Sequence, residues 1–432
     1  MNAPLYLLFG GLTVALIIGL PISFSLIVSS LIVIWYADLP LTIAVQQMFH
    51  GVSSFTLLAL PFFFLAGAIM TIGGISERLV ALAMAMVGHL RGGLAHVNIV
   101  VGMFLSGISG SSTADAAALG SIFHPAMVKR GYDERFSVCL TACTSTMGVI
   151  IPPSILMVVY GSTVGVSIGA LLIGGILPGI IMAGALMIQA HVFAVKYDFP
   201  REHDKFPGFG AVGKGIREAA WPLGVPAIIV VGMAGGVFTP TESASIAAVY
   251  TLFLVLVVFK SVKWRELPGL FADTAVQYSQ VIFCVCGASV FGWVMAYYQV
   301  PELTTKLILS VTDDWLVVML MIMLVNLFLG TFLDALPAIL IFAPIMHPVA
   351  VSVGINPVHL GVVVVMNQAF GLLTPPLGLC AMTSCAVAGV PMARIQKLLH
   401  IMMIPILLVV ILCALMPWTV LALPRLLVPG WL

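Results

Sequence analysis

Charged residues are scarce in this sequence. Asp, Glu, Lys and Arg make up 8% of its 432 residues, whereas about a quarter is usual in soluble domains. Apolar residues make up 61% and the mean hydropathy is +1.19, so the charges cannot cover the apolar surface of a water-soluble globule. The net charge of +1 also excludes nucleic-acid binding through bulk positive charge. The composition predicts an all-α polytopic membrane protein.

Markers of several enzyme and metal-site classes are missing as well. The sequence has no Gly-x-x-x-x-Gly-Lys-Ser/Thr loop for ATP, and no His-Glu-x-x-His or comparable set for a membrane-embedded enzyme. The pairs Cys139/Cys143 and Cys284/Cys286 have metal-like spacing, but neither has a second pair or a His nearby. Packing between helices is the favoured interpretation of these cysteines. The chain is therefore not predicted to be an enzyme.

The basic residues indicate which loops face the cytoplasm. At about 20 residues per span, the chain has room for roughly 10 to 14 membrane segments. With the N-terminus outside, 15 of the 17 Lys and Arg residues lie on the cytoplasmic side, where basic residues concentrate. This topology requires segment 95–128 to return to the side from which it came, because Arg91 and Lys129 both need to be inside.

Segments 95–128 and 315–346 are each predicted to form a re-entrant helical hairpin with half-length arms. Each holds too few residues for two full spans, and each has a break, at 109–112 in the first and 330–334 in the second. The first hairpin would open to the cytoplasm and the second to the outside. Non-helical backbone at this depth is tolerated where protein or a water-filled cavity satisfies it, so the two tips indicate a binding site.

Two Pro-Pro pairs interrupt otherwise apolar spans. Pro152-Pro153 lies within segment 137–163, and Pro375-Pro376 lies within segment 358–390. Proline removes a helical hydrogen bond and kinks or breaks the helix. Both segments are therefore predicted to be broken helices made of two half-helices, although a single pair on its own would fit a simple kink equally well.

The two halves of the sequence match at an offset of 223 residues. The Pro-Pro pairs coincide at this offset, and Gly107 falls on Gly330. An odd number of spans in each half would invert one half relative to the other, as in many secondary transporters. We therefore predict two inverted-topology repeats, residues 1–215 and 220–432, with about ten spanning helices in addition to the two hairpins.

The hairpin tips and helix breaks are the candidate cation sites. Ends of half-helices present unpaired amide and carbonyl groups with partial charges, and carbonyls joined by hydroxyls can replace the hydration shell of a small cation, for which Na⁺ is our prediction. For any single Ser or Thr, the alternative is a hydroxyl bonded to its own helix. The first tip offers hydroxyls in 106–113 against 148–152. The second offers Gly330, Thr331 and Asp334 against Asn367, Gly371 and Thr374.

Three acidic residues are open to more than one role. An ionisable group at membrane depth is a functional candidate by default. Asp115 follows the first tip and is predicted either to support or cap the returning arm or to contact the substrate or ion. Asp334 is predicted either to add charge to the cation site or to pair structurally, and Glu242 to cap the next helix. The candidates for facing the substrate are Ser112, Asp115 and Asn367.

At these motifs the sequence resembles the large membrane subunit of the tripartite ATP-independent periplasmic (TRAP) transporters. The matching stretches are SGISGSSTADAAALGS at 106–121, PAMVKRG at 125–131, IPPSILMVVY at 151–160, TPTESA at 239–244, and the 330–334 and 373–376 segments. The resemblance covers essentially the whole chain. The combination of the hydroxyl-rich first tip with the Pro-Pro-Ser break is far more specific than a lone Gly-rich loop.

The resemblance implies a function that spacing alone does not show. A periplasmic binding protein would deliver an organic acid, such as a dicarboxylate, a sialic acid or another sugar acid, to this subunit in the bacterial inner membrane. A small four-helix membrane subunit would be its partner. Uptake would be driven by a Na⁺ gradient through an elevator movement, with the hairpins and broken helices in the transport domain and the other spans in the scaffold. No organic cofactor is implied.

The resemblance also implies the ligand positions of two cation sites. Since the chain begins directly with its first predicted span, the small subunit is expected to be a separate polypeptide. The Gly-Thr-Phe-Leu-Asp sequence of the second tip is a variant of the family pattern, which leaves the second ligand set less defined. The positions that correspond to the family's first cation site are Ser106, Ser109, Ser111, Gly148 and Pro152. Those that correspond to its second cation site are Gly330, Asp334, Gly371 and Thr374.

A self-sufficient sodium/anion symporter of similar inverted-repeat fold is the alternative function. It shares the hairpins and helix breaks, and it differs in needing no binding protein. Neither the substrate, the sodium stoichiometry nor the oligomeric state follows from the sequence, because the binding protein sets most of the selectivity in a three-component system.

Overall fold

The computed structural model describes residues 2–72 and 75–431. Within these residues the regular secondary structure is helical throughout, and no β-strand occurs. Turns between helices are short, and the longest irregular connection lies between Lys196 and Phe209. The all-α fold class predicted from the composition is confirmed.

The first half of the described chain contains ten α-helices, with 3₁₀ turns at Phe55–Leu58 and Thr146–Val149. They are α1 (Asn2–Ile17), α2 (Ile22–Tyr36), α3 (Thr42–Val52), α4 (Ala59–Ile72), α5 (Ile75–Val87), α6 (Gly93–Ser109), α7 (Ser112–Lys129), α8 (Glu134–Ser145), α9 (Ile155–Val164) and α10 (Ile168–Lys196).

The second half of the described chain also contains ten α-helices, with a π-helical segment at Leu254–Val258 and a final 3₁₀ turn at Pro429–Trp431. They are α11 (Phe209–Ala234), α12 (Pro240–Phe253), α13 (Leu267–Tyr297), α14 (Val300–Leu309), α15 (Trp315–Phe332), α16 (Ala335–Ser352), α17 (Pro357–Gly371), α18 (Leu379–Ala388), α19 (Met392–Leu415) and α20 (Trp418–Leu427).

Seven helices of the described chain are long and apolar enough to cross a membrane: α10, α11, α12 with its π-helical extension, α13, α15, α16 and α19. Thr42–Val52 and Phe55–Thr71 would form an eighth span, bent by 56°. Further apolar helices of 10–17 residues, among them α1 and α2, accompany these spans. The chain is therefore a multi-pass membrane protein, and the total of about ten spans remains a prediction.

The first predicted hairpin is formed by α6 and α7, and the second by α15 and α16. The first turn places Gly110 in the left-handed region with φ +65°, which a residue without a side chain adopts at no steric cost. The arms have 17 or 18 residues, or about 26 Å at 1.5 Å per residue. They are longer than the half-length arms expected, because only two residues separate the helices at each tip and nearly every other residue of the segment is helical.

Each segment with a Pro-Pro pair contains two helices separated by an irregular turn. In the first, α8 passes through the 3₁₀ turn and Pro152-Pro153 before α9 begins, and Ser154 caps α9 by accepting a hydrogen bond from the Met157 amide. In the second, α17 ends at Gly371 and α18 begins after Pro375-Pro376. Both Pro-Pro bonds are cis. The backbone is therefore irregular at the same place in both segments.

The helix bounds follow the offset found in the sequence. Helix α7 spans 112–129 and α16 spans 335–352, so that both bounds differ by 223. The starts of α8 and α17, at 134 and 357, differ by the same number. The division into repeats 1–215 and 220–432, and the inversion of one repeat relative to the other, remain predictions.

The helices pack in two groups. Helix α4 packs on α12 and α13, and α13 packs on α2 and α3. In the other group, α7 packs on α8 and α18, α9 on α16, and α17 on α15, α16 and α19. The groups meet where α6 contacts α4 and α5 and where α16 contacts α13 and α14. Helix α6 also packs on α7 and α8, so both hairpins and both broken helices lie in the same group.

Candidate functional site

The tip of the first hairpin lies against the first helix break. A Cβ atom placed on Gly110 would stand 2.9 Å from the Pro153 carbonyl oxygen, so the tip backbone approaches the break too closely for a side chain. The Ile155 amide donates a hydrogen bond of 3.4 Å to the Gly110 carbonyl. On the arm before the tip, a Cβ on Gly107 would be 3.6 Å from the Pro152 carbonyl oxygen. Glycines in the hairpin thus bring it into backbone contact with the Pro-Pro turn.

Asp115 joins the two arms of the first hairpin. Its carboxylate is 2% exposed and accepts hydrogen bonds from the hydroxyls of Ser109, at 2.6 Å, and Ser106, at 3.2 Å. The Ser106 hydroxyl also lies 2.7 Å from the Gly102 carbonyl oxygen, so its proton is shared between two acceptors. The Ser111 amide donates to the Ser109 hydroxyl at 3.3 Å. Two of the predicted site residues, Ser106 and Ser109, therefore bind this carboxylate, and Ser111 is joined to it through Ser109.

Gly148 of the first break faces the same carboxylate. A Cβ on Gly148 would lie 2.4 Å from Asp115 Oδ2 and 3.0 Å from backbone atoms of Ser111 and Ser112. The predicted residues Ser106, Ser109, Ser111 and Gly148 are thus brought together, and the Pro152 carbonyl faces the hairpin beside them.

The second tip meets the second break through two glycines. A Cβ on Gly371 would stand 2.7 Å from the Gly330 Cα and 2.9 Å from the Gly330 carbonyl oxygen, so α15 and α17 cross in direct backbone contact. Asp334 caps α16, and its Oδ1 accepts a hydrogen bond of 2.7 Å from the Ala335 amide. The Thr374 hydroxyl donates to the Phe370 carbonyl of its own chain segment. The structure brings Gly330 and Gly371 together, and the Thr374 amide donates a hydrogen bond of 2.9 Å to the Gly371 carbonyl. Among the described residues, Asp334 makes no hydrogen bond to either glycine.

Asn367, a predicted substrate-facing residue, is buried against α15. It is 3% exposed, and its amide donates to the Met323 carbonyl of α15 at 2.8 Å. The neighbouring Gln368 is 1% exposed and contacts Asn326, also on α15. These two amides therefore face the hairpin arm from within the protein.

Both tips line one cavity of about 500 Å³, which we call the tip cavity. Residues 110–114 of the first tip lie on its wall, and Asp334 and Ala335 of the second tip lie there as well. Helix α13 contributes Gln277 and Gln280, which sequence reasoning missed. The only signal for them was two glutamines three residues apart in an apolar helix, where a 3.6-residue period places them on one face.

The wall of the tip cavity carries little side-chain charge. Its lining residues include no Lys, Arg or His, and Asp334 is the one ionisable carboxylate among them. Helix α7 begins at this wall, and the side chain of its N-cap residue, Ser111, caps no backbone amide of the first turn. The Ser111 hydroxyl instead lies 3.3 Å from the Thr113 hydroxyl. The first amides of a helix carry partial positive charge and lack intrahelical acceptors. The start of α7 can therefore accept an anionic group from the cavity.

Two acidic residues at helix starts take part in helix caps. Glu242 forms a capping box with Thr239, which confirms its predicted capping role. Asp133 caps α8 by accepting from the Arg135 amide, and the Arg135 side chain lowers the pKa of that carboxyl. Both acids are structural caps at the ends of spans.

Side chains typical of metal coordination lie apart from one another in the described part of the chain. Over residues 2–72 and 75–431, no set of three or more His, Cys, Asp or Glu side chains is close enough to hold a metal ion. The seven cysteines are free thiols, and Cys139 and Cys143 are buried between packed helices. The side-chain oxygens that would suit a small hard cation lie instead at the two hairpin tips.

A family model described as the DctM component of the tripartite ATP-independent periplasmic transporter matches residues 9–419. The chain is 37% identical over 414 residues to the sialic acid TRAP transporter large permease protein SiaM of Vibrio cholerae, covering 94% of this chain and 95% of that protein. It is 37% identical over 386 residues to the C4-dicarboxylate TRAP transporter large permease protein DctM of Pseudomonas aeruginosa, with 88% of each covered.

Among solved structures, the chain is similar to MtrF of Neisseria gonorrhoeae, with a TM-score of 0.58 and 13% sequence identity. The match covers 87% of this chain and 83% of that chain, and it extends the likeness in fold to a second group of membrane transporters. The two relatives above are named as transporter permeases and not as enzymes. From the match over residues 9–419 and these identities, the chain belongs to the DctM family, the large permease components of tripartite ATP-independent periplasmic transporters.

Proposed function

We propose that this chain forms the transport pathway of a three-component, sodium-coupled importer of a small organic acid in the bacterial inner membrane. The observation that carries the proposal is the tip cavity, where the uncapped start of α7 and both hairpin tips meet. Converging half-helix ends near mid-membrane suit an anionic substrate and a coupling cation.

The substrate carboxylate would bind at the start of α7. The amides and hydroxyls of residues 111–114 lie on the cavity wall, and helix N-termini favour anions. At the start of α16 the corresponding position is already held by the Asp334 carboxylate. Gln277 and Gln280 would face the rest of the substrate from α13. The names of the two relatives, for sialic acid and for C4-dicarboxylates, support a carboxylate-bearing substrate.

The first coupling cation would bind between the first tip and the first break. Asp115 supplies a formal negative charge, Ser106 and Ser109 supply hydroxyl oxygens, and Gly148 lets the break approach. Oxygen ligands are those that small hard cations prefer. A cation held here would lie immediately behind the start of α7, so that substrate carboxylate and cation would stabilise each other's binding.

The packing of the helices supports an elevator movement. Both hairpins and both broken helices pack in one group, which could move as a unit against the group formed around α4, α12 and α13. A periplasmic binding protein and a small membrane subunit would be the two partners of this chain, as the word tripartite in the family name implies. The binding protein would deliver substrate from the periplasm, and the small subunit would extend the static group.

Reconstitution of the whole complex tests this function. Proteoliposomes containing this chain and its small subunit would be supplied with candidate binding proteins, a labelled organic acid and ²²Na⁺. We expect uptake of both labels that requires an inward Na⁺ gradient and the matching binding protein. Uptake that ignores the Na⁺ gradient would overturn the sodium-coupled importer. Full uptake by this chain without any binding protein would instead favour the self-sufficient symporter.

A further inference from the structure

Gln368 carries a buried oxygen without a hydrogen-bond donor. The residue lies on α17 one turn before Gly371 and is 1% exposed. Its Oε1 is buried and has no partner among the described residues. Buried polar atoms in proteins are nearly always paired, and an unpaired one calls for a physical reason.

The orientation of the Gln368 amide is fixed by a short chain of hydrogen bonds. The Asn326 Nδ2 group donates to the Ile322 carbonyl at 2.9 Å, which leaves Asn326 Oδ1 as an acceptor. Gln368 Nε2 donates to that oxygen at 3.0 Å. Rotating the Gln368 amide would set two oxygens against each other. The unpaired atom is therefore the oxygen.

This oxygen points at the crossing of α15 and α17. Gln368 Oε1 is 3.2 Å from the position that a Cβ on Gly330 would occupy. At the same crossing, the Gly330 carbonyl oxygen is 2.9 Å from the position that a Cβ on Gly371 would occupy. A side-chain oxygen and a hairpin carbonyl thus both lie at the point where two glycines let the backbones of α15 and α17 approach each other.

The sequence offset explains why an amide is needed here. At an offset of 223, Ser106 and Ser109 correspond to Leu329 and Phe332, so the second hairpin lacks the hydroxyls of the first. Gln368 corresponds to Ser145, whose hydroxyl donates within its own helix to the Ala142 carbonyl. At the α15–α17 crossing, the side-chain oxygen comes from Gln368 of the broken helix.

We propose that Gln368 Oε1 is a direct ligand of the second coupling cation, bound beside the Gly330 carbonyl at the crossing of α15 and α17. Amide carbonyl oxygens are suitable ligands for hard cations. This inference rests on the proposed sodium coupling and adds a residue to the second site that the tip sequence does not contain.

The test measures the Na⁺ concentration at half-maximal substrate uptake in proteoliposomes with the complete complex. Gln368→Met keeps the size and removes the oxygen, and should raise this concentration by about tenfold or more. Gln368→Glu keeps an oxygen at the same place and should retain a near wild-type value. Ser145→Ala, at the corresponding position of the first half, is the matched control and should leave the sodium response unchanged.

A second readout avoids dependence on uptake. Na⁺ should raise the thermal midpoint of the purified wild-type complex, and the Gln368→Met complex should need correspondingly more Na⁺ for the same rise. If Gln368→Met does not assemble, Gln368→Asn, which withdraws the oxygen by one methylene, should give the same shift. If these variants show the same Na⁺ dependence as the wild-type complex, Gln368 is not a ligand of the second cation. If the wild-type complex itself does not respond to Na⁺, the proposed sodium-coupled function is wrong.

Discussion

The Ser109 hydroxyl donates a hydrogen bond of 2.6 Å to Asp115 Oδ1, closing the tip of the first hairpin from one arm to the other. The carboxylate is buried, and within the described chain it forms no ion pair with Lys, Arg or His. A carboxylate at this depth is costly unless its charge is compensated. Under the proposed function, the compensating charge is the first coupling cation.

Asp115→Asn should therefore weaken the first cation site. The amide has the same shape and removes the formal charge, so the Na⁺ concentration at half-maximal uptake should rise by about tenfold or more, since charges about 4 Å apart interact by about 4 kcal/mol at an effective dielectric constant of 20. Ser109→Ala, which removes one hydrogen bond of about 1 kcal/mol, should have a smaller effect. Equal sodium responses in wild type and Asp115→Asn would contradict a cation at this carboxylate.

Gly148→Ala should damage the same site through its backbone. The new Cβ would collide with Asp115 Oδ2 and press on the backbone of the first tip. Overpacking of this kind costs about 1–3 kcal/mol, so both the thermal midpoint and the sodium-dependent uptake rate should fall. Gly184→Ala is the matched control, because nothing lies within 4 Å of a Cβ there. A Gly148→Ala complex that transports like Gly184→Ala would show that the break and the tip separate in the active protein.

Asp133 gives a prediction about pH. Arg135 lowers the pKa of the Asp133 carboxyl in the folded protein, so its stabilising contribution is present above the unfolded value of about 3.9 and is lost as the pH falls through the folded value. Asp133→Ala should lower the free energy of unfolding by about 1 kcal/mol near neutral pH through loss of the α8 cap. The difference from wild type should narrow below about pH 4.

The measurement is the thermal midpoint of the purified complex across pH, followed by intrinsic fluorescence. Asp133→Asn, which retains an oxygen that can accept the hydrogen bond from the α8 amide, should remain closer to wild type than Asp133→Ala does. A destabilisation by Asp133→Ala that stays the same from pH 8 to pH 3 would show that the charge of this cap does not contribute.

The sequence was most informative where backbone geometry depends on particular residues. Gly110 and the Pro-Pro pairs mark the first tip and both breaks, because glycine adopts the left-handed turn and proline cannot continue a helix. The clustering of Ser106 and Ser109 follows from their spacing of three on one helix, which places them on the same face.

The sequence did not predict in the same way which neighbouring element an isolated polar side chain faces. Helices α13 and α17 are apolar on most faces, so no hydrophobic periodicity shows which side faces a cavity. Asn367 was expected to face the substrate, yet it donates to α15, whereas Gln277 and Gln280 line the tip cavity unexpectedly. Their orientation depends on tertiary packing between helices distant in sequence, which a single sequence does not contain.

The start of α7 gives the sharpest prediction about the substrate. Thr113 lies in the first turn of α7 and on the wall of the tip cavity. Thr113→Asp would place a carboxylate where the substrate carboxylate is proposed to bind, while a negative charge in the first turn favours the helix itself. The change should therefore preserve folding and raise the substrate KM by about tenfold or more, because the two negative charges repel each other.

Thr113→Asn separates this charge effect from a change of shape. The neutral amide is close in size to the carboxylate, so its KM should stay near the wild-type value if repulsion between anions is the cause. Substrate KM at saturating Na⁺ should be compared for both variants, with the thermal midpoint of each complex as the measure of folding. Equal increases in KM for Asp and Asn would mean that shape alone matters at Thr113, and the substrate carboxylate would then have to bind away from the start of α7.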